Sequence, residues 1–224
     1  QDEGVDFCVQ RTGHRRRQLL IADMDSTMIG QECIDELADE AGHGDRVAAI
    51  TARAMAGEIG FEGALKERVA LLEGLDAAVI DQVLEERITL APGARRLVAT
   101  MTANGAHTVL VSGGFTAFAG PVAAQLGMDE VQANELEVSD GRLTGRVVPP
   151  ILGREAKLEA LERAVRRHGI TPREVMAVGD GANDLAMLGR AGAGVALHAK
   201  PAVQAEAALR INHGDLTALL YLQG

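Results

Sequence analysis

The sequence has few aromatic residues and no surplus of basic residues, and both absences exclude classes of protein. Only 2% of the 224 residues are aromatic and none is tryptophan, so the platforms on which single-stranded nucleic acids stack are largely missing. The formal charge of −10 provides no basic surface for a nucleic-acid duplex. We therefore expect no nucleic-acid partner.

Cysteine and long apolar runs are also scarce. Cys8 and Cys33 are too few for a disulfide framework or a cysteine-rich zinc site. No apolar run approaches the roughly 18 residues of a membrane span, so we expect no membrane partner and a soluble, cytoplasmic protein. Cys33 is either a reactive thiol or a small helix residue, and we favour the second. The oligomeric state stays open between monomer and homodimer.

Short apolar runs that alternate with helical patterns indicate the fold. Such alternation is typical of an α/β protein with a doubly wound, parallel, Rossmann-like sheet. Asp140-Gly141 between alternating residues predicts a β-hairpin insertion within 134–148. The predicted strands cover 19–22, 109–111, 175–178, 194–197 and 209–212.

A block with only helical patterns follows the first predicted strand. No strand pattern interrupts residues 32–91, which we interpret as a helical insertion into a core made of 19–31 and 92–224. Residues 1–18 are an N-terminal lead or the remnant of a lost regulatory domain. Their basic run, 14–17, is either a solvated linker or a phosphate-binding arm, and charge patterning favours the linker. Three helices are predicted inside the insertion, at 45–56, 61–73 and 76–88.

Acidic side chains follow two of the predicted strands at the points where these strands end. Asp23 and Asp25 come directly after the first strand, and the third is followed by Asp180, Asn183 and Asp184. A polar turn and a helix cap would explain some of these acids separately. Because the carboxyl ends of parallel strands meet at one edge of the sheet, we expect the acids to converge. Converging carboxylates favour a hard divalent cation, most simply Mg²⁺.

Donors for an anion are predicted at the same edge. Ser112 and Gly113 follow the second strand, where backbone N–H groups can approach an anion closely. Lys157 lies on a predicted helix, where a lysine is more often a surface residue. Together with the acids, these groups suit phosphoryl transfer, since a carboxylate can attack phosphorus and its neighbour can move a proton.

These residues resemble, in order and spacing, the four motifs of the haloacid dehalogenase superfamily of phosphohydrolases. The matching segments are Asp23-x-Asp25-x-Thr27, Ser112, Lys157 and Gly179-Asp180-x-x-Asn183-Asp184. The resemblance covers about 19–222. It implies that Asp23 is the nucleophile and Asp25 the general acid/base, with Lys157 also in the catalytic set. It further implies that Mg²⁺ is held by Asp23, the backbone carbonyl of Asp25 and Asp180, with Asp184 nearby, and that the phosphoryl group is held by Ser112, Gly113, Lys157 and Asn183.

The same resemblance implies that the insertion is a cap over the substrate. On its middle helix Arg68 falls within an apolar stripe, and a charge on a buried face needs a partner. That partner is either an internal acid, Glu62 or Glu73, or a substrate carboxylate. Glu32 either compensates a helix dipole or binds a substrate ammonium. The resemblance implies a small phosphorylated amino acid, O-phospho-L-serine, recognised by Glu32, Met55, Phe61 and Arg68.

Other functions stay open at this point. A phosphotransferase could pass the phosphoryl group to another alcohol such as homoserine, and a related phosphatase could act on another small phosphomonoester. A signalling receiver module shares the Mg²⁺ site and the phosphorylated aspartate, but it needs neither the helical insertion nor Arg68. A binding protein without catalysis is disfavoured because every motif position keeps its reactive group.

Overall fold

A twisted, mostly parallel sheet forms the centre of the molecule. The structure, a computed structural model, describes residues 4–10, 15–55 and 58–224. Within these ranges the sheet has seven strands: β1 (Leu19–Ala22), β2 (His107–Phe115), β3 (Glu130–Ser139), β4 (Arg142–Val148), β5 (Val175–Gly179), β6 (Ala193–Leu197) and β7 (Leu209–Ile211).

Helices occupy both faces of this sheet and the long segment after β1. In the described part of the chain they are α1 (Cys33–Glu40), α2 (Gly44–Met55), α3 (Phe61–Ala70), α4 (Val79–Glu86), α5 (Ala94–Ala103), α6 (Thr116–Leu126), α7 (Arg154–His168), α8 (Leu185–Arg190), α9 (Pro201–Glu206) and α10 (Ala218–Tyr221). A single 3-10 turn spans Pro172–Glu174. None of the described helices is both long and apolar enough to cross a membrane.

The strand order is β4-β3-β2-β1-β5-β6-β7, and every neighbouring pair is parallel except β3 with β4. The chain builds one half of the sheet outward from β1 and then returns to build the other half from β5. The point where the order reverses therefore lies between β1 and β5, the position at which doubly wound sheets bind ligands. This topology confirms the predicted fold class.

Strand β1 is apolar throughout because both of its faces are covered. Leu20 and Ala22 belong to the larger apolar core, whereas Leu19 and Ile21 pack on the other face with residues of α7 and α8. All four residues are completely buried. A buried central strand of this kind explains why its sequence is a continuous apolar run.

The predicted hairpin is confirmed as β3 and β4. Its turn residues, Asp140 and Gly141, have φ angles of 50° and 75°, as a two-residue type I′ turn requires. The first half of β3 pairs with β2 and the second half pairs with β4. The hairpin therefore extends from the edge of the sheet.

Two elements differ from their predicted bounds because of contacts that are distant in sequence. Helix α4 begins at Val79 because residues 74–77 pair with the hairpin at 141–143 through backbone hydrogen bonds of 2.8–2.9 Å. Strand β2 continues to Phe115 rather than ending near 111, with a shift of register against β3 in its last part. Position 56 of the predicted helix 45–56 and His14 of the basic run lie outside the described residues.

The chain enters and leaves the α1–α4 segment through two adjacent stretches. Ile29 and Leu90 form an isolated antiparallel bridge, and Gly30 donates its N–H to the Thr89 carbonyl at 3.0 Å. The Gln31 side chain also bonds to Thr89 in both directions, at 2.9 Å each. Helices α1–α4 are therefore connected to the sheet by a paired, two-stranded neck.

Candidate active site

The acidic groups converge at the carboxyl ends of β1 and β5, as the strand pattern predicts, and β2 brings Ser112 to the same place. Asp23 follows β1 and donates its backbone N–H to the Val178 carbonyl of β5 at 3.0 Å. Ser112 lies in the last part of β2, and Asp180 follows β5 directly. Since β1 lies between β2 and β5, these groups share one edge of the sheet.

A buried lysine lies between two buried carboxylates at this edge. Lys157 Nζ lies 2.7 Å from Asp23 Oδ1 and 2.6 Å from Asp184 Oδ1. Burial, followed by the charge of Asp184, raises the pKa of Asp23 well above its usual range. Burial acts to lower the pKa of Lys157, but the two carboxylates outweigh it and the pKa lies above its usual value. Lys157 is therefore a fixed cation inside the site. A lysine on a helix is more often a surface residue, but Lys157 is not.

Asp180 completes a set of acids suited to a metal ion. Carboxylate oxygens of Asp23, Asp180 and Asp184 all lie within 4.8 Å of one another. Burial, followed by the charge of Asp184, raises the pKa of Asp180 to about 6. Thr27 Oγ1 donates to Asp180 Oδ1 at 3.3 Å. Carboxylates so close together repel each other, and this all-oxygen set fits a hard divalent cation that removes the repulsion.

Asp25 is held in place by residues of β2 and α1. Ser112 Oγ donates to Asp25 Oδ2 at 3.0 Å, and the Cys33 N–H donates to Asp25 Oδ1 at 2.8 Å. Ser112 Oγ also accepts the Gly114 N–H at 2.8 Å. A Cβ at position 114 would come within 2.8 Å of Asp25 Oδ2, so only glycine permits this approach.

Close backbone packing also explains the glycines around Asp184. Its Oδ2 accepts the Gly181 N–H at 2.9 Å, and a Cβ at Gly179 would come within 2.4 Å of its carboxyl group. This local bond keeps residues 182–184 outside helix α8, which begins at Leu185 and not at the predicted 182. Asn183 is half-buried beside Asp184.

Helices α1 and α3 bring a separate pair of charged groups to the site. Arg68 is partly buried, with Nε 3.3 Å from the Ala64 carbonyl and Nη1 3.5 Å from Thr51 Oγ1. Burial lowers the pKa of Arg68, and the charges of Asp35, Glu32 and Asp25, in that order, oppose this. Among the described residues no carboxylate lies within 4.0 Å of its guanidinium, although Glu62, a candidate partner, pairs with Lys66.

Glu32 precedes α1 and faces the same acidic site. Its Oε1 accepts a hydrogen bond from Ser26 Oγ at 2.6 Å. Partial burial, followed by the charge of Asp25, raises the pKa of Glu32. The side chain keeps an open surface, so water still reaches the carboxylate. Glu32 is therefore an accessible acid at the mouth of the site.

Phe61 and Met55 occupy different positions at this mouth. The Phe61 ring lies against β2, since a Cβ on Gly113 would be only 3.1 Å from Phe61 Cζ. Met55 is 62% exposed, and its Sδ lies 3.5 Å from Lys200 Nζ. The structure thus brings Phe61 to Gly113, which is predicted to bind phosphate, but leaves Met55 at the rim.

Two further residues of this region were not singled out from the sequence for a role. Buried Thr27 contacts Asp180 as described. Buried Asn134, on β3, donates to the Gly113 carbonyl at 2.8 Å and accepts the Leu152 N–H at 2.7 Å. Asn134 thus connects the end of β2, where Ser112 lies, to the loop before α7. Helix α7 in turn carries Lys157. Thr27 belongs to the first motif, whereas nothing in the local sequence marks Asn134.

Cys33 is a buried helix residue. Burial, followed by the charge of Asp25, raises the pKa of its thiol. Because the thiolate is the reactive form, this environment makes the thiol unreactive. The second of the two interpretations drawn from the sequence therefore agrees with the structure.

Carboxylates, a buried lysine and backbone N–H groups at the switch point of a parallel sheet define a protein suited to phosphoryl transfer. The chain belongs to the haloacid dehalogenase-like hydrolase family, whose model matches residues 20–189. This confirms the family resemblance that the four motifs indicate.

Individual relatives narrow the comparison. A phosphoserine phosphatase of Streptomyces coelicolor is 48% identical over 223 residues, which is 99% of this chain and 54% of that protein. The chain therefore spans about half the length of that relative. A phosphoserine phosphatase of Polaromonas sp. (strain JS666) is 48% identical over 92% of this chain and 89% of its own length. A solved phosphoserine phosphatase that holds a phospho-aspartyl intermediate analogue aligns with a TM-score of 0.85 and 38% identity, over 92% of this chain and 98% of that chain.

Proposed function

We propose that this chain is a Mg²⁺-dependent phosphatase that hydrolyses O-phospho-L-serine to L-serine and phosphate. The observation that carries the proposal is a partly buried guanidinium, Arg68, near the phosphoryl-transfer site, with no carboxylate of the described residues within 4.0 Å of it. Glu32 provides the opposite charge at the same mouth. A cation and an anion there match the carboxylate and the ammonium of an amino acid. The names of the relatives support the same substrate.

Asp23 is the nucleophile of the proposed reaction. Its Oδ1 accepts hydrogen bonds from Met24 N at 2.8 Å and from Lys157, which leaves Oδ2 open toward the substrate. Oδ2 attacks phosphorus, the bond from phosphorus to the serine oxygen breaks, and Asp25 protonates that oxygen. Asp25 then accepts a proton from the water that attacks the aspartyl-phosphate, and phosphate leaves. The Ser112 and Cys33 contacts hold Asp25 in position for both transfers.

A bound ion and several hydrogen-bond donors would together balance the negative charge of the phosphoryl group. Mg²⁺ would be held by Asp23, Asp180 and the backbone carbonyl of Asp25, and when bound it would neutralise negative charge on the phosphoryl oxygens. Asp184 lies beside these ligands, where its Oδ1 accepts a hydrogen bond from Lys157 and its Oδ2 accepts the Gly181 N–H, so Asp184 also holds Lys157 beside the ion. Lys157, Ser112, the Gly113 N–H and Asn183 bind the phosphoryl oxygens.

Helices α1–α4 are proposed to form a cap over this site. The chain would then consist of a cap domain at 32–91 and a core domain at 19–31 and 92–224. The contact of Phe61 with Gly113 supports this, because it places an α3 side chain directly on the phosphate-binding end of β2. A closed cap excludes bulk water from the phosphorylated aspartate until the leaving serine departs. A receiver module has no need of such a cover.

Phosphate release from four phosphomonoesters tests the proposed function. We expect phosphoserine to be hydrolysed with a kcat/KM at least tenfold above that of phosphothreonine, phosphoglycolate and an aryl phosphate, and only when Mg²⁺ is present. Equal rates for all four would contradict the assignment of an amino-acid substrate. Added homoserine should yield no phosphorylated product, whereas its phosphorylation would indicate a phosphotransferase.

Replacing Arg68 with alanine tests the carboxylate contact separately. We expect KM for phosphoserine to rise at least tenfold, because a charge-assisted hydrogen bond contributes about 1.5–3 kcal/mol. KM for the aryl phosphate, which lacks a carboxylate, should change less than twofold. Arg53→Ala, which removes an exposed arginine of α2, is the matched control and should change neither value. Equal rises for both substrates would refute the assigned role of Arg68.

A further inference from the structure

A second group of metal-binding side chains lies at the opposite end of the sheet from the acids. His107 is the first residue of β2, Glu130 is the first residue of β3, and His168 is the last residue of α7. One ligand atom from each lies within 4.8 Å of the others. Two imidazoles and a carboxylate differ from the all-carboxylate set of the catalytic edge, and they suit a borderline ion of the Zn²⁺ class.

The surroundings of His107 indicate which of its ring nitrogens is available. Nδ1 lies 3.3 Å from Asp129 Oδ2, and Nε2 lies 3.1 Å from Glu130 Oε1. A neutral imidazole has one N–H and so cannot donate to both carboxylates. Asp129 Oδ2 is itself held by the N–H and the hydroxyl of Thr108, at 2.8 and 2.9 Å. In the structure the ring makes its hydrogen bond through Nε2, to Glu130. An ion between Nε2 and Glu130 would replace that hydrogen bond, and Asp129 would then accept the Nδ1–H.

His168 supplies the third ligand from the end of a helix. Its ring centroid lies 4.1 Å from that of His107, and its side chain is exposed. Ligand atoms around a tetrahedral zinc ion are about 3.4 Å apart, given metal–ligand bonds of about 2.1 Å. The ligand atoms here lie up to 4.8 Å apart, so they must approach by at most about 1.4 Å, which rotation of the exposed His168 side chain can supply. The carbonyl end of a 15-residue helix adds a partial negative charge that favours a cation.

We propose that His107 Nε2, Glu130 and His168 form a binding site for a divalent ion of the Zn²⁺ class, distinct from the catalytic metal. Solvent completes the coordination, because three ligands converge from the part of the chain that the structure describes. Arg167 competes for the site, since its guanidinium contacts Glu130 Oε1 in the structure. An ion here joins the start of β2 and β3 to the end of α7, the elements that also carry Ser112, Asn134 and Lys157.

Titration calorimetry with Zn²⁺ tests the site, with enough Mg²⁺ in the buffer to saturate the catalytic metal site of the protein. We expect His168→Ala to weaken the binding of one Zn²⁺ at least tenfold. His213→Ala, which removes an exposed histidine outside the group, should leave this affinity unchanged. Arg167→Met should strengthen binding two- to tenfold, because it removes the competing cation from Glu130. Equal Zn²⁺ affinity in the wild-type protein and His168→Ala, or no binding up to millimolar Zn²⁺, would overturn the proposal.

Thermal unfolding provides a second readout that does not depend on activity. An ion that binds only the folded protein raises Tm in proportion to the logarithm of its concentration above Kd. With Mg²⁺ saturating throughout, Zn²⁺ should raise the Tm of the wild-type protein and of His213→Ala but not that of His168→Ala. A rise of equal size in all three proteins would place the bound Zn²⁺ elsewhere and refute the site.

Discussion

Replacing Asp23 with asparagine is expected to lower kcat for phosphoserine by at least ~10⁴-fold, because the amide oxygen cannot form the aspartyl-phosphate. The variant should stay folded. The introduced amide would carry no charge, so the burial of a charge and the repulsion from Asp184, which together raise the pKa of Asp23, would both disappear, while Lys157 keeps its contact with Asp184. Steady-state phosphate release, with circular dichroism to check folding, measures the effect.

Trapping the aspartyl-phosphate intermediate with a radioactive label tests directly whether Asp23 is the nucleophile. Acid quenching of the wild-type protein during turnover of ³²P-labelled phosphoserine should leave label on the protein, and the Asp23→Asn variant should retain none. Asp81→Asn makes the same chemical change on the exposed face of α4 and should leave both rate and labelling unaltered. An Asp23→Asn variant that turns over at more than 1% of the wild-type rate would eliminate Asp23 as the nucleophile.

Lys157→Met is expected to have the largest effect on stability. Methionine keeps most of the volume but leaves two buried carboxylates, Asp23 and Asp184, without their shared cation. Removing one partner of a buried ion pair costs about 3–5 kcal/mol. The loss should be measured as a lower free energy of unfolding in denaturant without Mg²⁺. Turnover should fall by about 10²-fold or more even with Mg²⁺, because a fixed donor to the phosphoryl group is gone.

The destabilisation of Lys157→Met should depend on pH and on Mg²⁺ with definite signs. A carboxyl group whose folded pKa is raised contributes stability at low pH and loses it as the pH rises through that folded pKa. The variant should therefore be closest to the wild-type protein at low pH, and Mg²⁺ should stabilise it more than it stabilises the wild-type protein. Lys66→Met, which removes an exposed lysine paired with Glu62, should cost less than about 1 kcal/mol. Equal losses in the two variants would contradict the buried-cation role.

The sequence predicts the convergence of the acids at one edge of the sheet well, because that convergence follows from strand positions. Asp23 and Asp180 come directly after apolar runs, and parallel strands bring such positions together without any knowledge of side-chain contacts. Arg68 could be found for a similar reason, since a charge inside an apolar helical stripe contradicts the pattern around it. Each of these signals is contained in a window of a few residues.

The parts that the sequence does not predict depend on contacts between distant segments. Nothing around Asn134 indicates that its amide joins Gly113 to Leu152, because that role exists only after β2, β3 and the loop before α7 have assembled. The late start of α4 depends on pairing with a hairpin more than 60 residues further along the chain. His107 and His168 are likewise 61 positions apart, and a lone histidine in each segment carries no local pattern.

The bonds between residues 74–77 and the hairpin turn also restrict how the α1–α4 segment can move. A lid attached only at the neck of Ile29 and Leu90 would swing freely about it. Here a second attachment lies on the far side of the helices, at residues 141–143. A wide outward swing would break the hydrogen bonds to the turn. If the α1–α4 segment opens as the proposed cap, we therefore expect a rocking motion of small amplitude about the neck and the hairpin turn.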